Sequence, residues 1–393
     1  MKNLYLFLVC FYAVNVQAID IHVNNSGQAN SYSSVSAALS ASNNGDRIFI
    51  SPYQIYVEDL IIDKSLTISS AVIGNDFEIG GKVTVNAFPN MDLRIVGGVF
   101  SDSLVANTGT ATLNNMADIY LVESFFNREI IFNDYVKSHL LFLIGGSSNI
   151  FIKHGEIIGC NISNRTINIS DGPIYNIGDT IKIIGNRIKA ISYDNDDNYF
   201  NFYNNIISNG TGNYNCCNRA INIAKFIYNQ NFENLIINNE IKACSSFGSS
   251  SWYCSTSGIV TIVSQNADNI ILKNNIIRPA SFSNNFNGLE FDDQNQFSKP
   301  KSFFNFYNGS FDAELVIGNQ YGLPNSDEGD PSIEYYDLDL TRNDIGPYGG
   351  PYSLENFFPT DSANGRARIY NLNIPSEIWS GNISVQSKGV HTK

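Results

Sequence analysis

Charge is scarce in this sequence. Asp, Glu, Lys and Arg make up 16% of it, and 24 basic residues against 37 acidic ones leave a net charge of −13 and a pI near 4.7. Such a chain has no field to hold a polyphosphate backbone, so no nucleic-acid partner is expected. Histidine is scarcer still: His22, His139, His154 and His391 are scattered, and no spacing assembles a Ser/His/Asp set. No Cys-x-x-Cys pair with nearby histidines offers a tetrahedral zinc site, and no EF-hand spacing is present. After Ala18 no apolar run is long enough to cross a membrane as a helix, so no transmembrane segment is expected. With charge this low, polarity rests on Asn, Ser and Tyr, a surface that suits sugars better than phosphates.

The opening residues MKNLYLFLVCFYAVNVQA place Lys2 before an apolar core from Leu4 to Val16 and end on the small-residue spacing Val16-Gln17-Ala18. This reads as a secretory signal peptide over residues 1–18, which makes the expected location secreted, extracellular or cell-surface, with the periplasm as the other exported compartment. Cys10 leaves with the signal. Export permits disulfides among Cys160, Cys216, Cys217, Cys244 and Cys254: Cys244 with Cys254 would close the loop between them, and Cys216 or Cys217 would reach Cys160 or Cys244. The odd number leaves at least one thiol over.

What the chain has in plenty is asparagine, and it is ordered. The stretch Asn269–Arg278, NIILKNNIIR, sets two asparagines between apolar runs. With Asn275 as position zero, the pattern recurs around Gly98, Ser124, Gly155, Asn186, Asn205, Asn239 and Asn319. Apolar or aromatic residues stand three before and two after each, as in Ile183/Ile188, Ile236/Ile241 and Leu272/Ile277. The spacings run from 19, between Asn186 and Asn205, to 44, between Asn275 and Asn319. Unequal units exclude helical repeats, whose packed helices fix the unit length. Short strand-like runs at a period of roughly 20 to 45 residues fit a solenoid whose coils add strands to stacked parallel sheets. Asparagines at one turn of successive coils would hydrogen-bond in a ladder, and Asn or Gly tolerates the left-handed backbone such a turn needs.

Ahead of the repeats, Ser34 to Ser42 predicts a short helix with Val35, Ala38 and Leu39 on one face, laid over the open end of the solenoid as a cap. The turn Asn43–Asp46 and the strand Arg47–Ser51 follow. This order, carried by Gly45-Asp46, Pro52 and Lys64-Ser65-Leu66-Thr67-Ile68, resembles the amino-terminal part of right-handed parallel β-helix proteins of the pectin-lyase-like superfamily. With the asparagine-bearing coils the likeness covers residues 19–350. The fold class expected is therefore all-β: a right-handed parallel β-helix over residues 19–351, then a capping segment over 352–393 in which 366–374 and 383–390 alternate as strands. Gly329–Pro351 resembles the closing coil of secreted bacterial β-helix proteins. The superfamily hosts lyases, hydrolases, epimerases and adhesins, so the likeness implies a fold without fixing an activity.

Alternate residues of a strand face opposite sides. With the +2 positions inside, +1 and +3 face outward and present Arg187, Lys189, Lys242 and Arg278 beside Glu156 and Glu240. Such a cluster can hold uronic-acid carboxylates or sulfates, or can simply form cross-coil ion pairs on a solvated face. In a lyase, Arg278 would neutralise the sugar carboxylate and Lys242 would remove the acidified proton. Trp252 and Tyr253, in the insertion Cys244–Gly258, offer faces for pyranose rings. For hydrolysis the carboxylate pairs are Asp196-Asp197 and Asp292-Asp293. Polygalacturonase-like enzymes carry Asn-Thr-Asp, Asp-Asp, Gly-His-Gly and Arg-Ile-Lys in that order. Here Arg187-Ile188-Lys189 comes before Asp196-Asp197, and Lys153-His154-Gly155 lacks the first glycine. No cofactor is expected. Ca2+ is conceivable where Asp327, Asp330, Asp337, Asp339 and Asp344 cluster, and capping of turn backbone is the simpler role for them.

The sequence thus reads as an exported β-helix that binds extracellular polysaccharide without a complete catalytic set. A polysaccharide lyase acting on an acidic glycan is the first alternative, and an adhesin working through its loops is the second.

Overall fold

The structure is a computed structural model that describes residues 18–171, 179–195, 198–208, 220–226, 232–242, 260–262, 269–278, 289–291, 301–307, 327–337, 340–358, 367–373 and 386–391. Residues 1–17, within the stretch expected as a signal peptide, and the insertions bearing Trp252, Tyr253 and Asp292-Asp293 lie outside these, as do Asp196-Asp197, Cys216, Cys217, Cys244 and Cys254.

The chain folds as a parallel β-helix. Its strands pair in parallel with their counterparts in neighbouring coils, forming sheets of twelve, fourteen and four strands among the described residues. The twelve-stranded sheet runs from Asp20–Val23 to Lys301–Phe303. The fourteen-stranded sheet forks at Arg187–Asp194, whose first residues pair with Ile206–Ser208 and whose last pair with Ile221–Lys225. The period of two puts one set of side chains inside, and like packs on like from coil to coil. Ile95, Leu121, Leu140, Ile157, Ile183, Phe202, Ile236 and Leu272 form one such buried column.

The two adjacent asparagines do different jobs. The first of each pair, Asn204, Asn238 or Asn274, takes the left-handed backbone, with φ of 54°, 56° and 55°. Gly97, Gly159 and Gly185 stand at the same place in earlier coils. The second is buried and builds the ladder Asn186–Asn205–Asn239–Asn275–Asn305. Each Nδ2 donates to the next Oδ1 at 2.9–3.0 Å, and that oxygen also accepts the backbone N–H of the same donor residue. The remaining amide hydrogens reach carbonyls one coil back, from Ile157 O to Ile236 O.

Register corrects one of the expected copies. Ile158 pairs with Ile184, which sets Cys160 opposite Asn186 instead of Gly155, and Cys160 N donates to Asn186 Oδ1 at 2.8 Å. The Gly155 match was an imitation: Ile152 and Ile157, at the right offsets and both buried, belong to two different sheets. Asn305 continues the ladder, while Asn319 lies outside the described residues. A coil centred on Leu143 escapes the pattern because neither Asn nor Gly marks it, and Leu143 N donates to Cys160 Sγ instead. Cys160 is a buried free thiol in this structure, and burial pushes its pKa up to about 12.

The amino-terminal cap is the helix Val35–Ala41, begun by Ser34, whose side chain accepts from Ala37 N. The Glu58 carboxylate takes Val35 N and Ser36 N at 2.7 and 2.9 Å, a negative group where the helix leaves N–H groups unpaired. At the other end Lys64 Nζ donates to the Leu39 and Ser42 carbonyls at 2.6 and 2.7 Å. Asp46 accepts from Ile19 N and Asn43 N. The Gly-Asp and Lys-Ser-Leu-Thr-Ile motifs are therefore fasteners between the helix and the first coils.

A second fastener is buried. Arg165, 1% exposed, sits where the strand Asn161–Ser170 shifts register, and its guanidinium donates to the carbonyls of Phe126, Arg128, Gly145 and Ser148. Four carbonyls stand in for a carboxylate.

The asparagine pair makes a direct prediction. Asn239→Gly removes a ladder member and strands its buried partners, at a cost of about 3 kcal/mol. Asn238→Gly keeps the turn and forfeits one outer hydrogen bond, about 1 kcal/mol. Urea unfolding of the two variants is expected to keep that order.

Candidate functional site

Where the predicted cluster lies is decided by the carboxy-terminal chain. Gly329–Pro351 does not close a last coil. It belongs to a strap, residues 327–337 and 340–358, that runs along the side of the solenoid over the left-handed turns. Asn204 Nδ2 donates to Pro347 O and Gly349 O, Asn238 Nδ2 to Gly349 O, and Asn274 Oδ1 accepts Asp330 N. Lys273 Nζ pairs with Asp330 at 2.7 Å and lies 4.2 Å from the Tyr335 ring centroid. Burial alone would lower the pKa of Lys273, and its bonds to Asp330 and Tyr335 reverse that and raise it. Further along, Phe357 packs against Gly159, Gly185 and Phe142, where a Cβ on Gly185 would come within 2.1 Å of its ring. The strands Ala367–Asn373 and Gln386–His391 pair with one another, antiparallel.

Arg187, Glu240 and Ile276 occupy one outward column, in the register expected, and the strap covers it. Phe358 stacks under the Arg187 guanidinium at 4.8 Å, Ile345 buries Ile276, and Glu240 is 8% exposed. The +3 column runs alongside: Lys189, then Ser208 paired with Lys242, then Lys242 with Arg278. Lys242 Nζ lies 2.9 Å from Glu240 Oε1. The Lys242 side chain is thus engaged with Glu240 on the flank of the covered column. Glu156 is elsewhere. With Cys160 as the true position zero, its strand His154–Ile158 belongs to the twelve-stranded sheet, a different face.

On that face the coils build an ordered polar column that sequence reasoning missed. Arg94, Tyr120, His139, Glu156 and Lys182 are successive register partners. The Tyr120 ring is held between the Arg94 guanidinium, 4.6 Å from its centroid, and the His139 ring, stacked at 4.2 Å. His139 bridges two carboxylates, Nε2 to Asp118 at 2.9 Å and Nδ1 to Glu156 at 3.0 Å. Both ring nitrogens donate only in the imidazolium. Burial would lower the pKa of His139, but the two carboxylate bonds outweigh it and hold the pKa above its ordinary value. For Tyr120, burial first and the Asp118 charge next raise the pKa, so the phenol keeps its proton. Asp92, paired with Arg94 at 3.1 Å, and Lys137, paired with Asp179 at 2.9 Å, flank the column. The two carboxylates do not form a hydrolytic pair, because the imidazole fills the gap that sugar and water would need. The signal was available: once the coil is registered on Cys160, an alternation of polar residues in YVKSHLL and KHGEII lines His139 up with Glu156.

The aspartates weighed for Ca2+ serve the strap's backbone. Asp344 accepts from Asp327 N, Asp337 from Asp344 N and Gly350 N, and Asp330 from Ser332 N, while Asp339 lies outside the described residues. Among the described residues no three His, Cys, Asp or Glu side chains are grouped to hold a metal, and no helix is long and apolar enough to cross a membrane. What fold and site define together is a parallel β-helix with ordered polar columns on its outer faces. No family model matches the chain, and neither a curated protein nor a solved structure does.

Two outcomes test this geometry. A group with a raised folded pKa contributes stability that is fully present below its unfolded pKa, about 6.5 for histidine, and is lost as pH rises through the folded value. The gap in melting temperature between the wild type and His139→Gln is therefore expected to be wide near pH ~5.5 and to narrow by pH ~8.5. Separately, Phe357→Ala and Gly185→Ala disturb one contact, each at about 3 kcal/mol, so the double variant should cost clearly less than their sum in urea unfolding.

Proposed function

We propose that this chain is an exported β-helix, pectin-lyase-like in the order of its amino-terminal motifs, that binds polysaccharide without cleaving it. The observation that carries the reading is the column Arg94–Tyr120–His139–Glu156–Lys182 with Asp118 and Asp92 beside it. Coils repeat at about 4.8 Å, so the column is a line of donors and acceptors at a pitch close to the advance of an extended glycan per sugar. Its side chains are fixed by one another, which lowers the entropy lost on binding. Both faces of Tyr120 are taken, so a sugar would meet its hydroxyl and ring edge instead of stacking on it.

Two supports favour binding over lyase action: the Lys242–Glu240 ion pair and the strap over Arg187 and Glu240. Calorimetry with uronate polymers and neutral glucans is expected to find a glycan whose affinity falls at least ~10-fold in Tyr120→Ala and in Lys182→Glu, about the loss of one or two good contacts. No unsaturated uronate product should accumulate in ultraviolet absorbance. Accumulating product, or the absence of any glycan binding, sinks the proposal.

A further inference from the structure

The outer face of the fourteen-stranded sheet carries two rows, in the early coils, that the polar column above does not use. Register places Thr84, Val105, Ile131 and Phe151 in one outward row, all half-buried. Two residues along the same strands, Asn86 and Asn107 are partners, and Asn133 follows in the next coil. These amides are bonded to one another on the outside of the solenoid: Asn107 Nδ2 donates to Asn86 Oδ1 at 3.5 Å, and Asn133 Nδ2 to Asn107 Oδ1 at 3.4 Å. This second ladder differs from the buried one in what it leaves over. An amide has two N–H groups and two lone pairs, and each member commits only one donor or acceptor to each neighbour. The row beside it is apolar where a strand face meeting only water would be polar.

We infer that this double row binds a neutral polysaccharide laid along the solenoid axis, with pyranose C–H faces on Val105, Ile131 and Phe151 and hydroxyls on Asn86, Asn107 and Asn133. The occupant follows from charge as well as shape. Neither row contains Lys or Arg, and at the strand ends the exposed Lys82 and Arg128 stand beside the exposed Asp102 and Glu129, so the rows themselves offer a polyuronate no cation. Lys153, the nearest continuation of the amide row, is paired with Asp134 at 2.5 Å. Amides spaced by the coil repeat present the same donor and acceptor to each successive sugar. The inference rests on the polysaccharide-binding reading but assigns a different face and a definite class of ligand.

The experiment titrates the mature chain with cellohexaose, mannohexaose and hexagalacturonate. Ile131→Glu puts a charge in the apolar row without touching the interior, and Asn107→Ser shortens the amide row while leaving a hydroxyl. Each is expected to weaken binding of at least one neutral hexasaccharide by ~10-fold or more, the loss of about 1.4 kcal/mol, with unchanged circular dichroism. Neutral binding that survives Ile131→Glu and Asn107→Ser overturns the inference, as does a wild type that takes only hexagalacturonate; either result leaves the polysaccharide reading standing. If no oligosaccharide of either class binds, both fall. Sedimentation of the same variants covers the remaining occupant: a dimer that Ile131→Glu dissociates would give this face to a second copy of the chain and overturn the glycan.

Discussion

Everything in this fold depends on satisfying a buried turn. A parallel coil must leave one sheet and enter the next at a sharp corner, and at that corner backbone groups point inward where no water reaches them. The ladder Asn186–Asn205–Asn239–Asn275–Asn305 answers this, because an amide side chain carries both a donor and an acceptor and can pass the same bond along the axis. Once five coils share one corner geometry, the strands on either side of it fall into register without further instruction. The substitutes show which property matters. Cys160 and Leu143 hold the corner in coils that have no asparagine there: Cys160 N donates to Asn186 Oδ1 and its thiol to Leu140 O, while Leu143 N donates to the Cys160 thiol.

The same corner explains the strap. The left-handed residue before each ladder position turns its side chain outward, and Asn204, Asn238 and Asn274 use theirs to hold the chain's own carboxy-terminal segment. Where that residue is Gly159 or Gly185, the missing Cβ opens the slot that Phe357 fills. From Gly159 to Asn274, Asn or Gly at that place serves a backbone conformation and a docking track together, while Glu123, Phe142 and Phe304 take the same left-handed backbone in other coils. The track ends the exposure of the Arg187–Glu240–Ile276 column, which is why charge in an outward register position did not translate into an open charged groove.

Legibility followed locality. The cap helix, the ladder members from Asn186 to Asn275 and the inward columns were readable, because each is set by residue type at a fixed offset within one coil. The strap was not, because its contacts join residues more than 100 apart, Asn204 to Pro347 and Asn238 to Gly349, and nothing in GPYGGP names its partner. Glu156 shows a subtler loss. A period of two tolerates a false zero whenever apolar residues happen to stand at the offsets, and a shift of five positions moved Glu156 onto the wrong sheet and hid its pairing with His139. Residue chemistry was right and register was wrong.

A solenoid turns small register facts into long surface rows, and the rows here differ in kind. One face sets an imidazolium between two carboxylates beside a tyrosine clamped by arginine, a self-neutralising line in which each charge already has a partner. Catalysis by proton transfer asks for the opposite, a group kept away from its natural partner so that its proton is loosely or unusually held. The candidate cations behave the same way: Lys242 lies on Glu240, Lys273 on Asp330, Lys137 on Asp179. In a chain with so few charges, pairing them with one another leaves these rows fixed in shape by their own contacts. Such surfaces suit the proposed ligand, a polysaccharide told apart by the spacing of its hydroxyls.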